Sequence, residues 1–162
     1  MRLPLLAAAA LVLSLTAAGP APKCDAVCQA VKTMLKARLN AFEGYRGALM
    51  PGEDSEWVAT QSLPGSFPCE IHGAVDDPDA NWECRIGDFM EFEAVAVFEK
   101  YLASVRAARP AGWEERDGLA VYARGKDFFP PGAEHPGMSL SLGKAKNGRQ
   151  RLGFYINAAE PK

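Results

Sequence analysis

Apolar residues between Cys24 and about Glu43 recur at helical spacing: Val27, Val31, Met34, Leu35, Leu39 and Phe42 fall on one stripe, with Lys32, Lys36 and Asn40 on other faces. The pattern predicts an amphipathic helix that stops near Gly44. A loop through Pro51-Gly52 leads to a strand from Glu56 to Ser62, which Pro64-Gly65 ends. Between Cys69 and Ile86 the apolar period shortens to two. If Asp76-Asp77-Pro78-Asp79 forms a four-residue hairpin loop, Cys69, Ile71, Gly73 and Val75 share a dry face with Ala80, Trp82, Cys84 and Ile86. Glu70, His72, Ala74, Asn81, Glu83 and Arg85 then take the wet face. Slipping the pairing by one residue would mix the two sets, so the split argues for the register.

Asp88 followed by Glu91 reads as a capping box that opens a second helix, the Asp oxygen taking an orphan backbone N–H and the Glu reaching back. Phe92, Val95, Phe98, Leu102 and Val105 form its stripe, Glu93, Lys100 and Arg106 lie off it, and Pro110 and Gly112 end it after about Arg109. Leu119 to Arg124 reads as a strand, preceded by a short one before Asp117-Gly118. Met138 to Ala145 and Arg149 to Ala158 form a last hairpin around Asn147-Gly148. A two-residue turn there would pair Leu140 with Tyr155 and set Phe154 and Ile156 opposite serines. A three-residue loop, Lys146-Asn147-Gly148, aligns Met138, Leu140 and Leu142 with Ile156, Phe154 and Leu152. Apolar burial favours the second, with a type I turn and Gly148 left-handed as a G1 bulge.

The predicted order is α-β-β-β-α-β-β-β. It gives an α+β fold: an antiparallel sheet of five to six strands with two helices packed on one face. The order suggests two pseudo-repeated αβββ units, beginning near Cys24 and Asp88, although residue identity between the halves is too low for a sequence repeat.

Ahead of the first helix, Arg2, the apolar run Leu3 to Leu15 and Thr16-Ala17-Ala18 read as a signal peptide cut after Ala18. Pro20, Pro22 and Lys23 close that run short of the about 20 residues a spanning helix needs. The expectation is one exported domain over 19–162, periplasmic or extracellular and soluble. All four cysteines, Cys24, Cys28, Cys69 and Cys84, follow the leader, and an even count in an oxidising compartment implies two disulfides. Cys69–Cys84 is favoured because both face the core on adjacent strands, which leaves Cys24–Cys28. The rival connectivity joins the first helix to the hairpin by two bridges. Cys-x-x-x-Cys is not the spacing of thiol oxidoreductases, and no paired Cys-x-x-Cys knuckles point to zinc. The formal net charge is −2, or −3 once Arg2 leaves with the leader, and no run of like charges suits nucleic acid or an anionic membrane.

Candidate chemistry is thin. Asp77, Asp79, Asn81 and Asp88 partly match a calcium loop, but Trp82 stands where the loop requires glycine, and turn chemistry explains the same residues. Glu70 and His72 share the wet strand face with Glu83 and Arg85 beside them, either a solvated charge network, or an acid–base pair or part of a metal site. His135 sits in a loop with no assignable partner. In Lys126-Asp127-Phe128-Phe129-Pro130-Pro131-Gly132 two aromatics beside two prolines form a semi-rigid apolar tip suited to recognition, unless the rings cover a sheet edge. The reading that follows is a small exported, disulfide-stapled binding, inhibitor-like or envelope-accessory protein. Its binding residues would be Phe128, Phe129, Glu70, His72, Glu83 and Arg85, and its partner a protein or cell-envelope component. It calls for no metal, cofactor, nucleic acid or membrane span. The alternatives are an enzyme with a noncanonical acid–base pair around Glu70 and His72, or a small-ligand carrier using the cavity between helices and sheet.

Overall fold

A computed structural model describes residues 23–159, apart from Asp76 and Ala120. The expected leader lies outside the described residues. No helix among them is long and apolar enough to cross a membrane.

Helix α1 spans Ala26–Ala37, and Asp25 caps it by accepting the Cys28 N–H at 2.8 Å. It stops earlier than its apolar spacing predicts. A 3₁₀ turn over Arg38–Asn40 leads into Ala41 and Phe42, both left-handed at φ 48° and 61°. Two consecutive non-glycine residues there are strained. The reversal drives the Phe42 ring fully into the core and leaves Leu39 exposed. Arg38 ties the corner to the far end of the chain, its guanidinium donating to the Asn157 and Ala158 carbonyls at 2.7 and 3.1 Å.

Among the described residues, eight strands follow the helices in two sets of four: β1 Arg46–Leu49, β2 Glu56–Ala59, β3 Glu70–His72 and β4 Asn81–Phe89, then helix α2 Glu91–Ala108, then β5 Glu114–Asp117, β6 Arg124–Phe129, β7 Met138–Lys144 and β8 Gln150–Asn157. All neighbours pair antiparallel in the order β1-β2-β3-β4-β8-β7-β6-β5, which is a palindrome about the β4–β8 pair. The class is the expected α+β. The repeat is α-β-β-β-β, one strand longer per unit than the sequence pattern gave, and each unit is a meander. Where a strand was expected over Leu119 to Arg124, residues 121–123 turn and bend; β6 begins at Arg124, where that strand was expected to end, and β5 is the short strand expected before Asp117-Gly118.

The first hairpin keeps the expected faces but not the expected loop. Ile71 pairs with Trp82 and His72 with Asn81, so the connection is residues 73–80. The pairing is shifted by two residues from that of a four-residue loop, and an even shift leaves every side chain on its face. The shift sets Cys69 directly opposite Cys84, at a Cα separation of 4.4 Å, the distance of a non-hydrogen-bonded antiparallel pair. Both expected disulfides are present, Cys24–Cys28 and Cys69–Cys84. Gly73 permits the crowded turn: its φ is +95°, and a Cβ there would lie 2.8 Å from the Ala80 Cα. The last hairpin has the expected register, Met138, Leu140 and Leu142 facing Ile156, Phe154 and Leu152, with Gly148 at φ +78°.

Asp88 does not cap α2. It belongs to β4, and its carboxylate takes Arg85 and Arg151, leaving Met90 at the N-cap position with no side-chain bond. The first turn of α2 therefore projects past the core, and Phe92 is 78% exposed. Ala94, Phe98, Tyr101, Leu102, Ser104, Val105 and Ala108 are the residues that α2 buries. Both helices pack over the sheet face that carries Trp82, Cys84, Phe154, Ile156, Met138 and Leu140, and one apolar core results. Trp82 lies at its centre, edge-on to Phe154 with ring centroids 6.2 Å apart, its indole N–H donating to the Gln61 carbonyl at 3.0 Å.

Candidate functional site

Among the described residues, helices on one side leave the other face of the sheet uncovered, and the pairing fixes which residues it presents. Val58, Glu70, Glu83, Tyr155, Ser139, Asp127 and Arg116 are successive cross-strand partners and form one row running from β2 to β5. Alternation then places His72, Arg85 and Phe129 on this same face. Five of the six residues expected to bind thus share one surface, Phe129 standing four strand spacings, about 19 Å, from Glu70. Phe128 does not join them. It points the other way, opposite Met138, and is completely buried; the apolar tip of the sequence reading is the end of β6, not a loop. Phe129 is half-buried beneath Arg116, whose guanidinium lies 4.2 Å from the ring centroid.

At the β2–β4 end, three carboxylates converge on one imidazole. His72 Nδ1 is 3.3 Å from Glu56 Oε1, and Nε2 is 3.5 Å from Glu70 Oε2 and 3.8 Å from Glu83 Oε2. Nε2 is shielded from water and has no hydrogen-bond partner among the described residues. As an acid–base pair, Glu70 and His72 are therefore loosely set. Glu70 lies directly opposite Glu83, a like-charge pair that costs stability. The nearby cations are turned elsewhere: Arg85 and Arg151 hydrogen-bond Asp88 at 2.8 and 3.0 Å. The Arg151 hydrogen bond, then the charges of Arg151 and Arg85, hold the Asp88 carboxyl below its ordinary range. No grouping suited to a metal ion occurs among the described residues.

Between these groups, Gly153, Ser141 and Gly125 form a row almost free of side chains. The nearest atoms to a Cβ built on Gly153 lie 4.0 Å away, so the row is a shallow trough. Tyr155 stands on one side, and on the other the Tyr122 ring covers Gly143. Ser139 Oγ donates to Asp127 Oδ1 at 2.5 Å. Burial pushes the Tyr155 hydroxyl up, and the Asp127, Tyr122 and Glu83 groups add to the shift against a hydrogen bond with Ser139. Tyr155, Ser139, Asp127, Arg116 and Glu56 escaped the sequence reading. Their signal was only that of polar partners in an alternating strand. No family model, curated protein or solved structure matches this chain significantly.

Proposed function

We propose that the protein is an exported binding protein whose uncovered sheet face takes a basic segment of a protein or cell-envelope partner. The observation that carries this reading is the convergence of Glu56, Glu70 and Glu83 on His72 at one end of that face. Like charges directly opposite in a sheet destabilise the free protein. A lysine- or arginine-bearing partner relieves the repulsion and gains from it, which favours fast and specific association. The two disulfides support work in an oxidising compartment outside the cytoplasm, where the expected leader would deliver the chain. The Cys69–Cys84 bridge also stiffens the site directly, because its cysteines adjoin Glu70 of β3 and Glu83 of β4.

The test is capture from native envelope extract by the wild type and by the double variant Glu70→Lys, Glu83→Lys. Both side chains are solvent-facing, so the variant should melt like the wild type. Capture should fall at least tenfold, since reversing a close interfacial charge removes more than about 1.5 kcal/mol. Wild-type capture should also weaken as salt rises. Unchanged capture by a folded double variant would refute the assignment.

A further inference from the structure

The helix-covered face has one place where its apolar pattern fails. On β5 and β6 the positions directed toward the helices are Glu115, Asp117, Arg124, Lys126 and Phe128, so only the last is apolar. A covered sheet face ordinarily alternates cleanly. Here α2 does not close down on the strands, and a cavity of about 410 Å³ remains between them. Its helix side includes the buried Phe98 and Leu102; Leu119 lies at its mouth, and Arg106, Arg124 and Lys126 also line it. That volume is in the range of small-molecule sites. A breach of local pattern beside a cavity is where function is expected.

From this geometry we infer that the cavity binds a small amphiphilic anion, with an apolar body against the exposed Leu119 and the accessible edges of Phe98 and Leu102, and a carboxylate-like head on Lys126. The exposure of the ion pairs sets the sign of the head group. Lys126 holds Asp117 at 2.6 Å, and Arg124 holds Glu99 at 3.0 Å. Asp117 is 89% exposed and Glu99 50%, whereas Lys126 is only 27% exposed and lies 3.8 Å from Glu115 as well. An incoming anion can displace Asp117, which stays hydrated as it swings away, and so exposed a pair contributes little to stability. A cation would have to displace Lys126, which is largely withdrawn from water. The site is separate from the uncovered face, so it stands or falls independently of the proposed partner surface.

The probe is octanoate, followed by nitrogen–proton correlation NMR and calorimetry on the full mature protein, with octanol and octylammonium as head-group controls. Saturable shifts are expected at the amides of Gly118, Leu119, Gly125 and Lys126. Octanol should bind at least about tenfold more weakly, the loss of one charge-assisted hydrogen bond, and octylammonium more weakly still. Lys126→Gln should lower octanoate affinity about tenfold while leaving octanol unchanged. Leu119→Asp, at an exposed position, should abolish octanoate binding without altering the melt. The inference is overturned by no saturable shift, by shifts clustered elsewhere, by octanol or octylammonium binding as well as octanoate, or by a Lys126→Gln protein that binds octanoate normally.

Discussion

Phe128 and Phe129 are neighbours in sequence, yet the fold sends them to opposite sides of the sheet. Replacing each by alanine should therefore give very different results. The Phe128 ring is withdrawn completely from water opposite Met138. A buried phenylalanine removes about 150–200 Å² from solvent, worth about 4–5 kcal/mol at about 25 cal/mol per Å². Residual side-chain burial and cavity relaxation set the expected range for Phe128→Ala at about 3–5 kcal/mol. Phe129→Ala removes a half-buried ring, about half that area and about 2 kcal/mol by the same conversion, together with its contact with the exposed Arg116. Its total should be about 2 kcal/mol. For a chain of this size the two correspond to melting shifts of about 12–20 °C and about 8 °C. Guanidinium and thermal melts with the disulfides kept oxidised measure both, and Phe128→Leu should recover more than half of the alanine loss. Equal losses, or a larger one for Phe129, would refute the face assignment of β6.

Removing the Cys69–Cys84 bridge with paired alanines should cost about 3 kcal/mol for its separation of 15 residues, and removing Cys24–Cys28 about 2 kcal/mol; denaturant melts read both, and nonreducing peptide maps should find no peptide joining α1 to the hairpin. Gly73→Ala should cost at least about 2 kcal/mol, because its Cβ meets backbone, whereas Gly52→Ala, left-handed at φ +85° but in open space, should cost about 1 kcal/mol in the same melts. Asp88→Asn should weaken the bonds to Arg85 and Arg151. Because the folded carboxyl titrates below its unfolded value of about 3.9, the stability gap to the wild type should be full at neutral pH and close as pH falls through the depressed folded value, as melts from pH 7 downward would show.

The parts of this fold legible in the sequence are those where one face is dry. In the last hairpin three apolar pairs decide the loop length, and they outweigh the usual turn preference of Asn-Gly. In the first hairpin the alternation settles the faces but is blind to an even shift. The missing constraint was in the cysteines: a four-residue loop would have set Cys69 and Cys84 diagonally, while the observed pairing puts them opposite. Strand β6 was illegible for a physical reason, since its helix-facing positions before Phe128 are Arg124 and Lys126 beside a cavity. Strand β1 is short and largely exposed at a sheet edge, so burial left no pattern in it. Phe92 and Leu39 misled because spacing alone cannot tell where a helix outruns its core. Of the candidate site, the Glu70, His72, Glu83 and Arg85 cluster was readable from β3–β4 alternation. Its extension through Tyr155 and Asp127 to Phe129 depends on the β4–β8 pairing, a contact between distant segments that no local pattern encodes.

The partner surface can be tested by proximity. A benzophenone side chain replacing Val58, which is exposed at the acidic end of the uncovered face, and another replacing Phe92, on the helix side, sample the two surfaces of one molecule. Irradiation in native envelope extract should cross-link a partner from position 58, with the product lost when Glu70→Lys and Glu83→Lys are added, and little should form from position 92. Equal or greater cross-linking from position 92, or a product from position 58 that survives the charge reversal, would contradict the assignment of the open sheet face as the binding surface.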